Sequence, residues 1–142
     1  GRAALAAERP GEARRAFRAA LADVPDHRDA LLALAVLDGE AGRAAESESR
    51  LRRLVAAHPD DAQAWNQLGA VLHARGDAAG ARVALERALA ADPFFPEVLA
   101  NAGLLAAEAG DRPRARALLR RLRALAPDSR EARALERTLA GP

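Results

Sequence analysis

Four prolines recur at one interval. Pro25, Pro59, Pro93 and Pro127 are each separated by 34 residues (59−25, 93−59, 127−93). The same interval joins Phe17, Leu51, Leu85 and Leu119, and joins Ala13, Ser47, Ala81 and Ala115. Gly69 falls in register with Gly103, and Gly42-Arg43, Gly76-Asp77 and Gly110-Asp111 fall in register with one another. A chain that holds one phase this long is built from one repeated unit, because each copy must present the same faces to its neighbours.

The unit reads most clearly from Ala62 to Phe95. Trp65, Leu68, Gly69 and Leu72 follow the i, i+3, i+4, i+7 spacing of one helical face. Ala81, Leu85 and Ala88 share a face on a second helix. Gly76-Asp77 is the turn between them, and Pro93 ends the second helix. A period of 34 with W-x2-L-G-x2-hydrophobic, small residues and a terminal proline resembles the tetratricopeptide repeat family over nearly the whole chain. The resemblance implies an all-α, right-handed α-α superhelix. It divides residues 1–142, as one domain, into a truncated repeat (1–27), three repeats (28–61, 62–95 and 96–129) and a capping helix (128–139).

Composition narrows the chemistry. The 22 Lys-plus-Arg residues are all Arg, and net charge is +2. The high isoelectric point of 10.7 therefore reflects arginines that stay charged, with no Lys, Tyr or Cys to titrate first. It does not argue for nucleic acid. Such usage resembles coding from a GC-rich bacterial genome. With no cysteine, neither a disulfide nor a thiolate metal site can form, and the compartment stays open. No apolar run of about 18 residues predicts a membrane span. Gly1 in place of Met reads as the start of an excised fragment.

Gly1 to Ala7 fall in register with Gly69 to Arg75, so the chain enters halfway through a helix. The next helix starts at Pro10 and runs to about Asp23. Its incomplete cover points to preceding repeats, or to self-association through an apolar edge near Phe17. In the second unit Ala35 replaces the glycine of Gly69 and Asp38 replaces a hydrophobic residue, which predicts looser packing there. Asp26, the pair Asp60 and Gln63, and the pair Asp128 and Glu131 read as helix caps. Ala132, Leu135 and Leu139 make the last helix amphipathic. Phe94-Phe95 replaces the usual Pro-Asp lead-in. Phe94 reads as a staple on Leu99, and Phe95 as the aromatic free for an outside contact.

No motif for catalysis is present. His27, His58 and His73 lack a ligand partner at i+4, Ser47 and Ser49 lack nucleophile-elbow glycines, and no phosphate loop appears. No catalytic residue, metal site or cofactor is expected, and the chain reads as a non-enzyme. In the family, first helices line a concave groove for peptides or partner helices. By register that lining comprises Asp29, Leu32, Ala33, Val36, Gly39 and Glu40, then Gln63, Asn66, Gln67, Ala70, His73 and Ala74. The last repeat adds Glu97, Ala100, Asn101, Leu104, Ala107 and Glu108. Four acids and no Arg beyond Arg2 favour a neutral or basic ligand. The four amides, Gln63, Asn66, Gln67 and Asn101, can donate and accept, as reading a peptide backbone requires. Asn101 and Gln67 fall where peptide-glycosylating members carry a ladder of asparagines, which Ala33 interrupts. The carboxylate clamp for chaperone tails needs basic groove residues that are missing. The implied function is a protein-interaction scaffold. The alternative is a substrate-docking region of a larger glycosyltransferase or sulfotransferase. Arg-rich second helices, lacking aromatics to stack on bases, read as a solvated outer face and argue against nucleic acid.

Overall fold

The computed structural model describes residues 9–141. Eight helices account for their regular structure: α1 (Pro10–Asp23), α2 (Arg28–Glu40), α3 (Ala44–Ala57), α4 (Ala62–Ala74), α5 (Ala78–Ala91), α6 (Pro96–Glu108), α7 (Arg112–Leu125) and α8 (Arg130–Ala140). The half-helix expected at 1–7, and Arg2, lie outside the described residues. Each helix packs against the next, most heavily within the pairs α2/α3, α4/α5 and α6/α7, while α8 closes onto α6 and α7. α4 also touches α6, so the first helices of successive pairs stand side by side. The result is an all-α solenoid.

The turns inside the pairs follow from glycine. Gly42, Gly76 and Gly110 have φ of 76°, 86° and 82°, a left-handed conformation that a side chain disfavours. The residue after each opens the next helix. Asp77 and Asp111 cap it by accepting the N–H of Gly80 and Arg114. Between pairs, the prolines sit just beyond the ends of α1, α3, α5 and α7, where no further helical N–H is needed.

The caps between pairs lie one residue later than the sequence reading placed them. His27, not Asp26, accepts from Ala30 through Nδ1 at 3.3 Å. Asp61, not Asp60, accepts from Ala64 at 3.0 Å. Ser129, not Asp128, accepts from Ala132 at 3.1 Å. The cap is the second residue after each proline, since the proline and its successor are used up in the turn. Asp26 instead pairs with Arg53 at 3.1 Å.

The two aromatics exchange roles relative to expectation. Phe95 is the α6 N-cap and packs partly buried against the core, whereas Phe94 is 69% exposed. The same one-residue offset explains the exchange: the position before Pro96, not the one after Pro93, faces inward.

The core is Leu and Ala, drawn from facing stripes: Leu31, Leu51, Leu54, Leu68, Leu85, Leu99, Leu119 and Leu135 are all buried. Glycine sets the closest approaches. A Cβ on Gly69 would lie 2.9 Å from Cγ of Leu85, and one on Gly103 would lie 2.5 Å from Cδ2 of Leu135. Trp65 is half-buried and donates its indole N–H to the Pro59 carbonyl at 2.8 Å, with Arg87 over its ring at 5.9 Å.

Asp38 replaces the hydrophobic contact of the second pair with a polar tie. It is 1% exposed and receives Arg14 of α1 at 2.5 Å and Arg50 of α3 at 2.7 Å, which ties three helices together. Burial alone would raise its carboxyl, but the two guanidinium hydrogen bonds hold it below the ordinary carboxylate value. Beside it, the buried Ser47 hydroxyl donates to the Ala35 carbonyl at 2.8 Å. Other arginines of the second helices act as tethers: Arg121 donates to the Pro93 carbonyl and Arg112 to the Leu139 carbonyl.

Candidate functional site

The face shared by α2, α4 and α6 carries the residues singled out from sequence. Asp29, Val36, Glu40, Gln63, Ala70, His73, Glu97 and Glu108 are exposed, while Leu32, Gln67, Asn101 and Leu104 are half-buried. Ala100, expected to line the groove, is instead buried at 4% exposed, and so is Asn66, at 1%. The Oδ1 of Asn66 accepts the Asn101 side-chain N–H at 2.9 Å. The expectation of Asn66 as a free groove amide is therefore corrected: the close approach of α4 and α6 seals it between them.

The same face holds two further ties between neighbouring repeats. Arg28 donates to Asp61 at 2.5 Å, to Gln63 Oε1 at 3.0 Å and to Asp29 at 3.0 Å. Asp61 is pushed up by burial but held down overall by Arg28 and by the Ala64 N–H. The bond to Asp61 in turn raises Arg28. His73 Nε2 and Glu108 Oε2 lie 2.6 Å apart, both well exposed. Arg28 also changes the electrostatics inferred from register. A cation does reach this face, Asp29 is partnered, and the Oε1 of Gln63 is occupied. Among the described residues, Glu40 and Glu97 have no ion-pair partner.

The amide lining is thus smaller than its count in the sequence. Gln67, the side-chain N–H donors of Gln63 and the remaining donor and acceptor capacity of Asn101 are what it offers, beside the apolar Leu32, Val36, Ala70 and Leu104. Sequence reasoning missed the ties themselves. Their signal was present: Asn66/Asn101 and His73/Glu108 are polar pairs 35 residues apart, the spacing that brings adjacent first helices together.

Among the described residues, no three His, Asp or Glu side chains gather as a metal site, and no helix is long and apolar enough to cross a membrane. An apolar cleft of about 500 Å³ lies away from this face, between α5, α6 and the start of α7.

Three solved structures share the fold. MamA is 20% identical with a TM-score of 0.77, covering 90% of this chain and 81% of its own. YrrB, described as a tetratricopeptide repeat protein with an unusual peptide-binding site, is 22% identical with a TM-score of 0.79, covering 94% and 69%. PilF of Pseudomonas aeruginosa is 20% identical with a TM-score of 0.85, covering 98% and 64%. No curated protein sequence matches the chain at a significant level. The family pattern described as tetratricopeptide repeat matches residues 4–71 and 72–139, and with these helix pairs in phase the chain belongs to the tetratricopeptide repeat family.

Proposed function

We propose that the chain is a protein-interaction module that holds an extended segment of a partner along the face of α2, α4 and α6. The observation that carries this reading is the side-by-side placement of those helices, with Gln67 half-buried and Asn101 half-buried and fixed by its bond to Asn66. An amide held this way is pre-oriented, so it loses little freedom when it bonds a peptide backbone. Leu32, Val36, Ala70 and Leu104 supply the apolar contact between such bonds. Glu40 and Glu97 bias the face toward neutral or basic segments, because an acidic segment would meet unpaired carboxylates. YrrB supports the reading by its described peptide-binding site.

The test is a peptide selected for binding to the intact chain, titrated against variants. Ala70→Arg places a bulky cation on an exposed position of the face and touches no core residue. It abolishes binding if the segment lies there, with thermal unfolding unchanged. Glu97→Lys weakens a basic segment by up to about fivefold, the value of one exposed charge pair. Binding unaffected by Ala70→Arg contradicts the proposal.

A further inference from the structure

The three first helices differ at one pair of inward positions. Leu34 and Asp38 stand there in α2, Leu68 and Leu72 in α4, and Ala102 and Ala106 in α6. In α2 the buried Asp38 is held by Arg14 and Arg50. In α4, Leu72 occupies the position as a buried hydrophobe. In α6 two methyl groups occupy less space, and the cleft of about 500 Å³ remains against α5, walled by Leu85, Ala102, Leu105 and Ala106.

Register identifies what this cleft lacks. Arg82 lines it, and Arg82 lies two periods after Arg14 (82−14 = 68). Two periods after Asp38 stands Ala106 (106−38 = 68). The pair Arg14–Asp38 has thus become Arg82–Ala106: the cation is kept and the carboxylate and its volume are gone. Two acids, Glu86 and Asp111, also line the cleft, beside Arg114. Glu86 lies 3.9 Å from its guanidinium, and Asp111 accepts its backbone N–H. Arg82 has no ion-pair partner among the described residues.

We propose that this cleft binds an apolar side chain adjacent to a carboxylate on a partner polypeptide, the carboxylate taking against Arg82 the place that Asp38 takes against Arg14. The apolar walls desolvate the side chain, and the pairing at the mouth selects the acidic neighbour. This site is separate from the face of α2, α4 and α6, and rests on none of the observations used there.

The experiment titrates two blocked dipeptides, acetyl-Leu-Glu-amide and acetyl-Leu-Gln-amide, into the intact isotope-labelled chain and follows the backbone amides of Leu85, Ala102 and Ala106. The acidic peptide gives saturable shifts there, and the Gln peptide binds about fivefold more weakly, as loss of one partly exposed pair requires. Arg82→Gln brings the acidic peptide down to the Gln peptide's affinity. Ala106→Asp, which restores a carboxylate against Arg82 but not the second cation, since Leu118 stands two periods after Arg50 (118−50 = 68), abolishes binding of both peptides. No saturable shift at these residues, equal affinity for the two peptides, or an Arg82→Gln variant that still discriminates them would overturn the proposal.

Discussion

Asn101 donates its side-chain N–H to Oδ1 of Asn66 at 2.9 Å and so joins α4 to α6. One partner is sealed and the other is half-open. The asymmetry decides what each truncation does. Asn101→Ala leaves a buried acceptor without its donor and costs about 2 kcal/mol, whereas Asn66→Ala frees Asn101 to bond water. A double-mutant cycle on urea unfolding is expected to give a coupling of about 1 kcal/mol. A coupling of zero would mean the bond is absent in solution.

Asp38 gives the solenoid an acid-sensitive joint. Its folded carboxyl lies below the ordinary value, so its contribution is present above about pH 4 and lost as pH falls through the folded value. Asp38→Asn is expected to cost about 3 kcal/mol at pH 7, the lower end for a broken buried pair, because Arg14 and Arg50 keep some access to water. The difference between the two proteins shrinks on acidification below pH 4. Parallel pH dependence of the two unfolding midpoints would contradict this.

Gly103 holds the capping helix. Its missing Cβ leaves room for Leu135, which is fully buried and cannot swing into solvent. Gly103→Ala is expected to cost about 1–3 kcal/mol by overpacking. Hydrogen exchange accelerates first in α8. At Gly69 the same clash falls on Leu85, within one helix pair, so Gly69→Leu destabilises by a similar amount but spares α8.

Phe94 and Phe95 separate by exposure. Phe95→Ala removes a partly buried ring from the core and is expected to cost about 1–2 kcal/mol. Phe94→Ser changes stability by less than about 0.5 kcal/mol, as for an exposed side chain. Thermal melts of the two variants check the order.

The architecture was legible because the 34-residue phase is carried by positions that physics constrains tightly. Gly76 must adopt positive φ, Gly69 must admit Leu85, and Pro59 must follow a helix end. Such positions tolerate few residue types, so they repeat visibly. The polar positions were less legible. Reading each helix alone placed Asn66 on an open face, but its fate depends on how near α6 comes, and no single-helix pattern contains that distance. Asp38 looked like a packing defect for the same reason, since Arg14 lies 24 residues away on another helix. The cap and aromatic offsets came from assigning the first residue after each proline to the helix start, one position too early.

A partner segment proposed to run along the first helices is located by residue-level mapping of a bound peptide. With the intact labelled chain and a selected peptide, the largest amide and side-chain shifts are expected at Gln67, Ala70, Asn101 and Leu104. Shifts confined to α3, α5 and α7, with those four residues unmoved, would contradict that placement.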